Sequence, residues 1–459
     1  MIHKYYLGGL YIVLDVNSGG VHIVDELTYD LLDYAAPPFA EECPQEILDK
    51  LSDKHDPEEV RECYRELAGL YEDKILFSAD DYEKYAKFTV ASPVKAMCLH
   101  ISHDCNLRCK YCFASTGDFG TGRKLMPLEI GKKAIDFLLE NSGNRKNLEL
   151  DFFGGEPLMN FGVVKEVVEY ARSREAEFGK TFRFTITTNG MLLTDDKIDF
   201  INKEMSNVVL SIDGRKEVND RMRPGIGGKG SYDVILPKFK KLVDARSKDK
   251  DYYVRGTFTK YNLDFAEDVF SLRDAGFDQI SVEPVVCDAQ YDYALTEAEL
   301  PAVFAEYEEL AQRLLENDRQ GKHFNFFHFM IDLDKGPCAI KRLRGCGCGN
   351  EYVAITPDGD IYPCHQFVGI EEYKMGNLMD GTFDMDMKQT FAETHIYNKP
   401  SCRDCWARFY CSGGCNANNY MYMGDIHTAH TLSCELEKKR VECAIMIQAV
   451  KSLERGQAE

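Results

Sequence analysis

Three thiols fall within the short run Cys105-Asn-Leu-Arg-Cys109-Lys-Tyr-Cys112. The hydrophobic stretch before them, Val94 to Ile101, predicts a strand, so the cysteines sit on the loop that follows it. Intervals of three and two residues let one short loop present three thiolates to three corners of a cubane iron–sulfur cluster. The fourth iron then has no protein ligand, and an open iron binds a substrate or cofactor. A zinc knuckle lacking one ligand, or a group of buried thiols, is the plainer reading. A second set lies near the C-terminus: Cys346, Cys348 and Cys364, then Cys402-x2-Cys405-x5-Cys411-x3-Cys415, then Cys434. A zinc ribbon accounts for two such pairs but not for a fifth and sixth partner.

Composition narrows the setting. A chain of 459 residues is too long for one ordinary core, and two or three domains are expected. Seventeen cysteines, an odd number crowded into short-spaced groups, argue for metal ligation in a reducing cytoplasm rather than for a disulfide framework. No apolar run approaches the ~20 residues of a membrane helix. The N-terminal residues lack a charged segment followed by an apolar one, so export is not expected. The net charge of −21 argues against nucleic acid, because phosphate neutralisation needs a basic face. Peptides and small molecules are the favoured substrates.

The elements that must position these residues are legible between about residues 94 and 320. Strands are predicted at Ala96–Ser102, Leu148–Phe153, Phe182–Thr188, Val208–Ile212, Tyr253–Phe258 and Gln279–Glu283. Helices are predicted between and after them at Leu128–Asn141, Val163–Glu177, Asp195–Glu204, Tyr232–Arg246, Phe265–Ala275 and Glu297–Glu316. Six βα units read as a parallel sheet with outer helices, a partial (β/α)6 barrel of the α/β class. Function in such folds sits on the loops after the strands' carboxyl ends. That rule selects the three-cysteine loop. It also selects Gly154-Gly155-Glu156-Pro157, Thr188-Asn189-Gly190, Ser211-Ile-Asp213-Gly214 and Asn219-Asp220-Arg221-Met222-Arg223-Pro224.

The cysteine spacing, with aromatic Tyr111 before the last thiol, resembles the signature of radical S-adenosylmethionine (SAM) enzymes. The resemblance implies that an open iron chelates the amino and carboxylate groups of SAM, and that one electron cleaves it to a 5′-deoxyadenosyl radical. Gly154, Gly155 and Glu156 resemble that family's "GGE" loop, implying that Glu156 accepts from the SAM amino group. By the same resemblance Ser211 contacts the ribose or carboxylate, Arg223 pairs with the carboxylate, and Asn189 lies on the same rim. A surface salt bridge is the plainer reading of Arg223. The later cysteines resemble the SPASM extension with its two auxiliary [4Fe–4S] clusters, three clusters in all. The resemblance gives Cys402, Cys405, Cys411 and Cys434 to the outer cluster, and Cys346, Cys364 and Cys415 to the inner one. The inner cluster's fourth ligand stays open. Cys348 and Cys338 are candidates, and an open iron there would bind a substrate thiolate.

Residues 1–85 read as a third unit beside 94–320 and 335–459. A hairpin, Leu10–Val16 and Val21–Val24 around Asn17-Ser-Gly-Gly20, precedes helices at Leu27–Ala35, Pro44–Leu51 and Pro57–Asp73. This resembles the winged-helix peptide-recognition domain of peptide maturases, which implies a leader peptide bound as an added strand. A DNA-binding use is disfavoured by seven Lys/Arg against twenty Asp/Glu in this unit. A bracing N-terminal extension is the bland alternative. Across the chain, Gly345-Cys346-Gly347, Thr356-Pro357-Asp358-Gly359 and Tyr362-Pro363-Cys364-His365-Gln366-Phe367 resemble the thioether-forming maturases of "six cysteines in forty-five residues" (SCIFF) peptides. Cys348 departs from the small alanine or serine of that group. The resemblance implies a crosslink from Cys to an acceptor, threonine, in a cysteine-rich precursor, with a flavodoxin- or ferredoxin-type reductant. The competing reading is a sulfatase-maturase-like dehydrogenase making formylglycine. Its base is an aspartate after the cysteine matching Cys364, where this chain has His365. A non-catalytic electron-transfer or peptide-binding protein is the alternative of another class.

Overall fold

The computed structural model describes residues 1–333 and 339–456. It opens on an antiparallel sheet of β1 (Ile2–Leu7), β2 (Leu10–Asp15) and β3 (Val21–Val24), in the order β1-β2-β3. The hairpin pattern predicts β2 and β3; β1 is an additional strand. Helices α1 (Glu26–Leu31), α2 (Gln45–Leu51) and α3 (Pro57–Glu72) follow. Asp25 and Asp56 cap α1 and α3 by accepting from Thr28 N and Glu58 N, and Pro57 opens α3 without leaving an orphan N–H.

Strand alternation divides β2 between two cores. Val13 joins Leu31, Val60 and Leu67 under the helices, whereas Ile12 and Leu14 join Tyr5 and Leu7 in the core of the main body. The small sheet is therefore covered on both faces.

The main sheet holds β4 (Ala96–His103), β6 (Asn147–Gly154), β7 (Thr181–Thr188), β8 (Met205–Ser211), β9 (Asp251–Phe258) and β10 (Gln279–Pro284), parallel and in sequential order. The short β5 (Lys124–Leu125) pairs antiparallel with β4, and β11 (Asn325–Phe326) extends the far edge in parallel. The crossovers are α4 (Leu128–Asn141), α5 (Phe161–Phe178), α6 (Asp195–Glu204), α7 (Lys216–Met222) with α8 (Tyr232–Asp244), and α9 (Phe265–Asp274). After β10 comes α10 (Leu300–Arg319). Alternation again separates the faces, with Leu148, Leu150 and Phe152 buried and Asp151 and Phe153 half-buried on the other side. The sheet is open, as expected of a partial barrel. Most boundaries shift by one to four residues, and two differences bear on the site. Asn219–Met222 are helical, within α7, and α10 starts only after a tight turn at Glu297–Glu299.

The cysteine-rich extension continues this same sheet. β12 (Tyr352–Ile355) lies parallel on the free edge of β4, with Tyr352 opposite Ala96, and β13 (Asp360–Tyr362), β14 (Gly376–Asn377) and β15 (Thr382–Phe383) follow antiparallel. A closing helix, Thr431–Gly456, packs on α10 through Lys439–Glu308 at 2.6 Å and on β1 through Tyr5, whose hydroxyl donates to Glu442 O at 3.1 Å. No helix among the described residues is long and apolar enough to cross a membrane.

Candidate functional site

The turn after β4 is held by its own backbone. Cys105 N donates to Asp104 Oδ1 at 2.8 Å and Leu107 N to Cys105 Sγ at 3.4 Å. Arg108 N and Lys110 N donate to Pro224 O and Met222 O at 2.7 and 2.9 Å, tying the loop to the end of α7. Burial pushes the Cys105 thiol up to about 12, helped by nearby Glu156, and the Cys109 thiol up to about 11, opposed by Arg223. Metal ligation here must displace protons.

The two glycines after β6 are required by close approach. A Cβ on Gly154 would lie 2.2 Å from Ser102 O, and one on Gly155 2.2 Å from Asp104 O. Gly155 N and Glu156 N donate to those same carbonyls at 2.7 and 2.9 Å, which brings Glu156 beside Cys105. Glu156 is fully buried. Its Oε1 accepts from Leu158 N at 3.0 Å and Thr188 Oγ1 at 2.7 Å, and its Oε2 from Asn189 N at 2.8 Å. A carboxylate has about four lone-pair sites, so one remains on Oε2. Asn189 Nδ2 donates to Asn106 Oδ1 at 2.8 Å and reaches Cys105 Sγ at 3.6 Å.

Arg223 is 7% exposed, which rules out the surface salt bridge. Its Nη1 donates to Tyr111 Oη at 2.9 Å, and Tyr111 in turn donates to Asp213 at 2.8 Å. Asp213 also accepts from Thr257 N at 3.1 Å, and burial raises its carboxyl to about 6 against the pull of Arg223. Arg223 Nε is buried with no partner among the described residues. Asp213 lies two residues beyond β8 in the Ser211-Ile-Asp213-Gly214 loop, and that place after a strand end is the sequence signal for its role at the site.

Cys105, Cys109, Cys112 and all seven predicted cofactor contacts (Tyr111, Gly154, Gly155, Glu156, Asn189, Ser211 and Arg223) line one cavity. The donor set suits a cluster carrying SAM. It offers three thiols from one loop, a carboxylate with a free lone pair for an ammonium, and a buried N–H without partner for a carboxylate.

The extension gathers its thiols into two groups. Cys402, Cys405, Cys411 and Cys434 surround one cavity. Cys346, Cys348, Cys364 and Cys415 are mutual neighbours in a second group. Cys338 lies outside the described residues. Among the described residues no group of three or more His, Cys, Asp or Glu is close enough to hold one metal ion. A cubane bonds its sulfurs to separate irons, so its ligands stand farther apart than those of zinc. Lys399, which sequence reasoning missed, is 1% exposed near Cys402, Cys411, Cys415 and Cys346. Among the described residues its Nζ donates only to neutral partners, Gly413 O and Asn416 Oδ1, both at 2.8 Å. A buried ammonium with neutral partners suits an anionic centre alongside.

The second group lies beside Cys98 near the start of β4, whereas the Cys105 loop leaves the end of that strand. Between them the ring of His365 stands 5.1 Å from Phe153 and 5.5 Å from Phe113. At the other flank, among the described residues, the outer edge of β3 is unpaired with Ile23 exposed, and His3 stacks on Trp406 with ring centroids 3.7 Å apart.

Comparison with known proteins agrees with this geometry. Residues 99–257 match the Radical SAM superfamily, and residues 346–406 match SPASM, described as an iron-sulfur cluster-binding domain. A cysteine-type anaerobic sulfatase-maturating enzyme of Clostridium novyi is 25% identical over 336 residues, covering 69% of this chain and 86% of that protein. The antilisterial bacteriocin subtilosin biosynthesis protein AlbA of Bacillus subtilis is 23% identical over 399 residues, 79% of each chain. The crystal structure of Streptococcus suis SuiB bound to precursor peptide SuiA shares the fold, with a TM-score of 0.52 at 16% identity, covering 94% of this chain and 98% of that one. The chain thus carries a radical SAM domain joined to an iron–sulfur cluster-binding SPASM domain, and it is homologous to peptide-modifying radical SAM enzymes.

Proposed function

We propose that this chain is a maturase that joins a cysteine sulfur to a carbon of an acceptor residue, threonine, in a ribosomally made, cysteine-rich peptide of the SCIFF type. Cys105, Cys109 and Cys112 would hold the cluster with the open iron. Cys402, Cys405, Cys411 and Cys434 would hold an outer auxiliary cluster, and Cys346, Cys364 and Cys415 an inner one. With SAM bound and an electron from a flavodoxin- or ferredoxin-type donor, the first of these would supply a carbon-centred oxidant that takes one hydrogen atom from the acceptor carbon. The C–S bond then forms as the thiol gives up its proton, and the remaining electron would pass to the outer auxiliary cluster.

The chain's own residues prepare that chemistry. Glu156 accepts the SAM ammonium on its remaining lone pair, while Arg223 offers its unpartnered Nε–H to the carboxylate. Tyr111 and Asp213 hold the guanidinium in place, and Ser211 and Asn189 complete the rim. Phe113, Phe153 and the His365 ring give the space between the two cysteine groups an aromatic lining. The edge of β3 receives the leader peptide as a further strand, which orders the core peptide toward that space.

The observation that carries the crosslinking reading is His365, next to Cys364 and against Phe153, where a formylglycine-forming enzyme of this family uses a carboxylate base. The formylglycine reading is favoured by the likeness to the Clostridium novyi enzyme. Mass spectrometry of a cysteine-containing precursor after reaction and alkylation separates the two. Crosslinking conserves every heavy atom and removes two hydrogens, so the peptide loses about 2 Da and one alkylatable thiol per bond, and the link survives reduction. A product that has exchanged sulfur for oxygen, or one that a thiol reverses, sinks the crosslinking reading.

A further inference from the structure

The inner group contains one thiol more than the three that family resemblance assigns to it. Cys348 and Cys364 are both buried, and their side chains are near neighbours. The backbone enforces this pairing. Gly349 N donates to Tyr352 O at 2.9 Å and to Pro363 O at 3.0 Å, so the residue after Cys348 is tied to the residue before Cys364. Gly345, Gly347 and Gly349 have φ of +68, +78 and +70, conformations that L side chains rarely adopt. A Cβ on Gly349 would in addition lie 2.3 Å from the Phe391 ring. Alternating left-handed glycines let both intervening cysteines turn toward the same neighbours, Cys364 and Cys415.

The surroundings are those of metal-bound sulfur. The backbone N–H groups of Cys348, of Gln366 and Phe367, and of Ala417 and Asn418 stand close to the sulfurs of Cys346, Cys364 and Cys415 respectively. Gln366 Nε2 adds a donor to Cys415 Sγ at 3.8 Å. N–H donors of this kind favour thiolate over thiol and tune cluster sulfurs. A merely structural Cys348 would explain burial, but not a glycine-built turn that brings it against a second ligand.

We propose that Cys348 is the fourth protein ligand of the inner cluster, beside Cys346, Cys364 and Cys415, so that no iron of that cluster is open to a substrate thiolate. This rests on the two-auxiliary-cluster reading above. The substrate sulfur is then positioned by protein side chains rather than by iron.

The test uses the full chain with Cys105, Cys109 and Cys112 replaced by Ala, reconstituted anaerobically. About eight irons should remain, two cubanes of four. On mild ferricyanide oxidation, a cubane with only three protein ligands sheds its unligated iron and gives a three-iron signal by electron paramagnetic resonance. With Cys348 intact, no such signal should appear. Adding Cys348→Ala should produce the signal with loss of about one iron in eight, while Cys338→Ala should not. A three-iron signal before Cys348 is touched, its absence in a Cys348→Ala protein that still holds both clusters, or its appearance with Cys338→Ala overturns the proposal. If Cys348→Ala retains only about four irons, Cys348→Ser decides. A restored cluster with shifted g values supports ligation, whereas unshifted values or no restoration overturn it. A triad-free protein that binds no iron overturns the auxiliary-cluster reading itself, and this proposal with it.

Discussion

At the scale of single residues, the cavity below the Cys105 loop is defined by what its polar atoms lack. Arg223 is anchored by Tyr111 and Asp213 but keeps one buried N–H unpaired, and such a group is costly unless a ligand completes it. Arg223→Gln should weaken SAM binding by about tenfold to a hundredfold, the range expected for a lost charge-assisted hydrogen bond. Equilibrium binding to the reconstituted protein measures this, and unchanged affinity would remove Arg223 from the site. Gly155 carries a different kind of demand. Its Cβ position is already occupied by Asp104 O, so Gly155→Ala must displace the start of the cysteine loop. Iron content should then fall by about four while the auxiliary irons stay. Retention of all the iron would show that the loop tolerates the shift.

At the scale of elements, the segment between β10 and α10 buttresses the cysteine loop. Tyr293 Oη donates to Lys110 O at 2.9 Å, and Lys260 N donates to Tyr293 O at 3.1 Å. Thr296 and Glu299 form a capping box at the helical turn that follows. The Glu299 carboxylate also meets Lys260 Nζ at 2.7 Å, and these bonds hold its pKa down at about 2. A depressed acid stabilises the fold above its unfolded pKa and loses that contribution as pH falls through the folded one. Glu299→Gln should therefore lower the melting temperature at neutral pH, with the deficit shrinking from about pH 4.5 down to about 2. Thr296→Ala should cost about 1 kcal/mol at neutral pH, the ordinary value of an N-cap. A Glu299→Gln deficit that persists unchanged to low pH would contradict the linkage.

At the scale of the whole molecule, the N-terminal sheet is part of the main body. Tyr5, Leu7, Ile12 and Leu14 belong to the main core, and Arg408 reaches Asn17 at 2.6 Å and Asp80 at 3.0 Å. Deleting residues 1–85 would strip that core, so it is a poor test of leader binding. Ile23→Asp on the exposed edge of β3 is cleaner. It should leave uncoupled SAM cleavage within about twofold while lowering peptide modification at least tenfold, because remote binding energy serves the reacting residues. Production of 5′-deoxyadenosine and of crosslinked peptide, measured in parallel, checks this. Equal loss of both would mean a folding defect, and loss of neither would remove the edge-strand role.

The sequence by itself determined the six βα units, because hydrophobic periodicity and chain order are local properties. It also singled out the Cys105 loop and the Gly154-Gly155-Glu156 turn, because spacing and strand-end position need no distant partner. Other matters were decided only by the tertiary structure. β12 pairs with β4 across some 250 residues of sequence, and no local pattern announces that the cysteine extension completes the catalytic sheet. Asp213 and Lys399 look like ordinary charged loop residues until burial leaves one under Arg223 and the other among thiols. Cys348 departs from the related group when read along the chain, yet the folded backbone brings it to Cys364. Burial and long-range pairing are properties of the packed chain, and a single residue's chemistry follows from them as much as from its type.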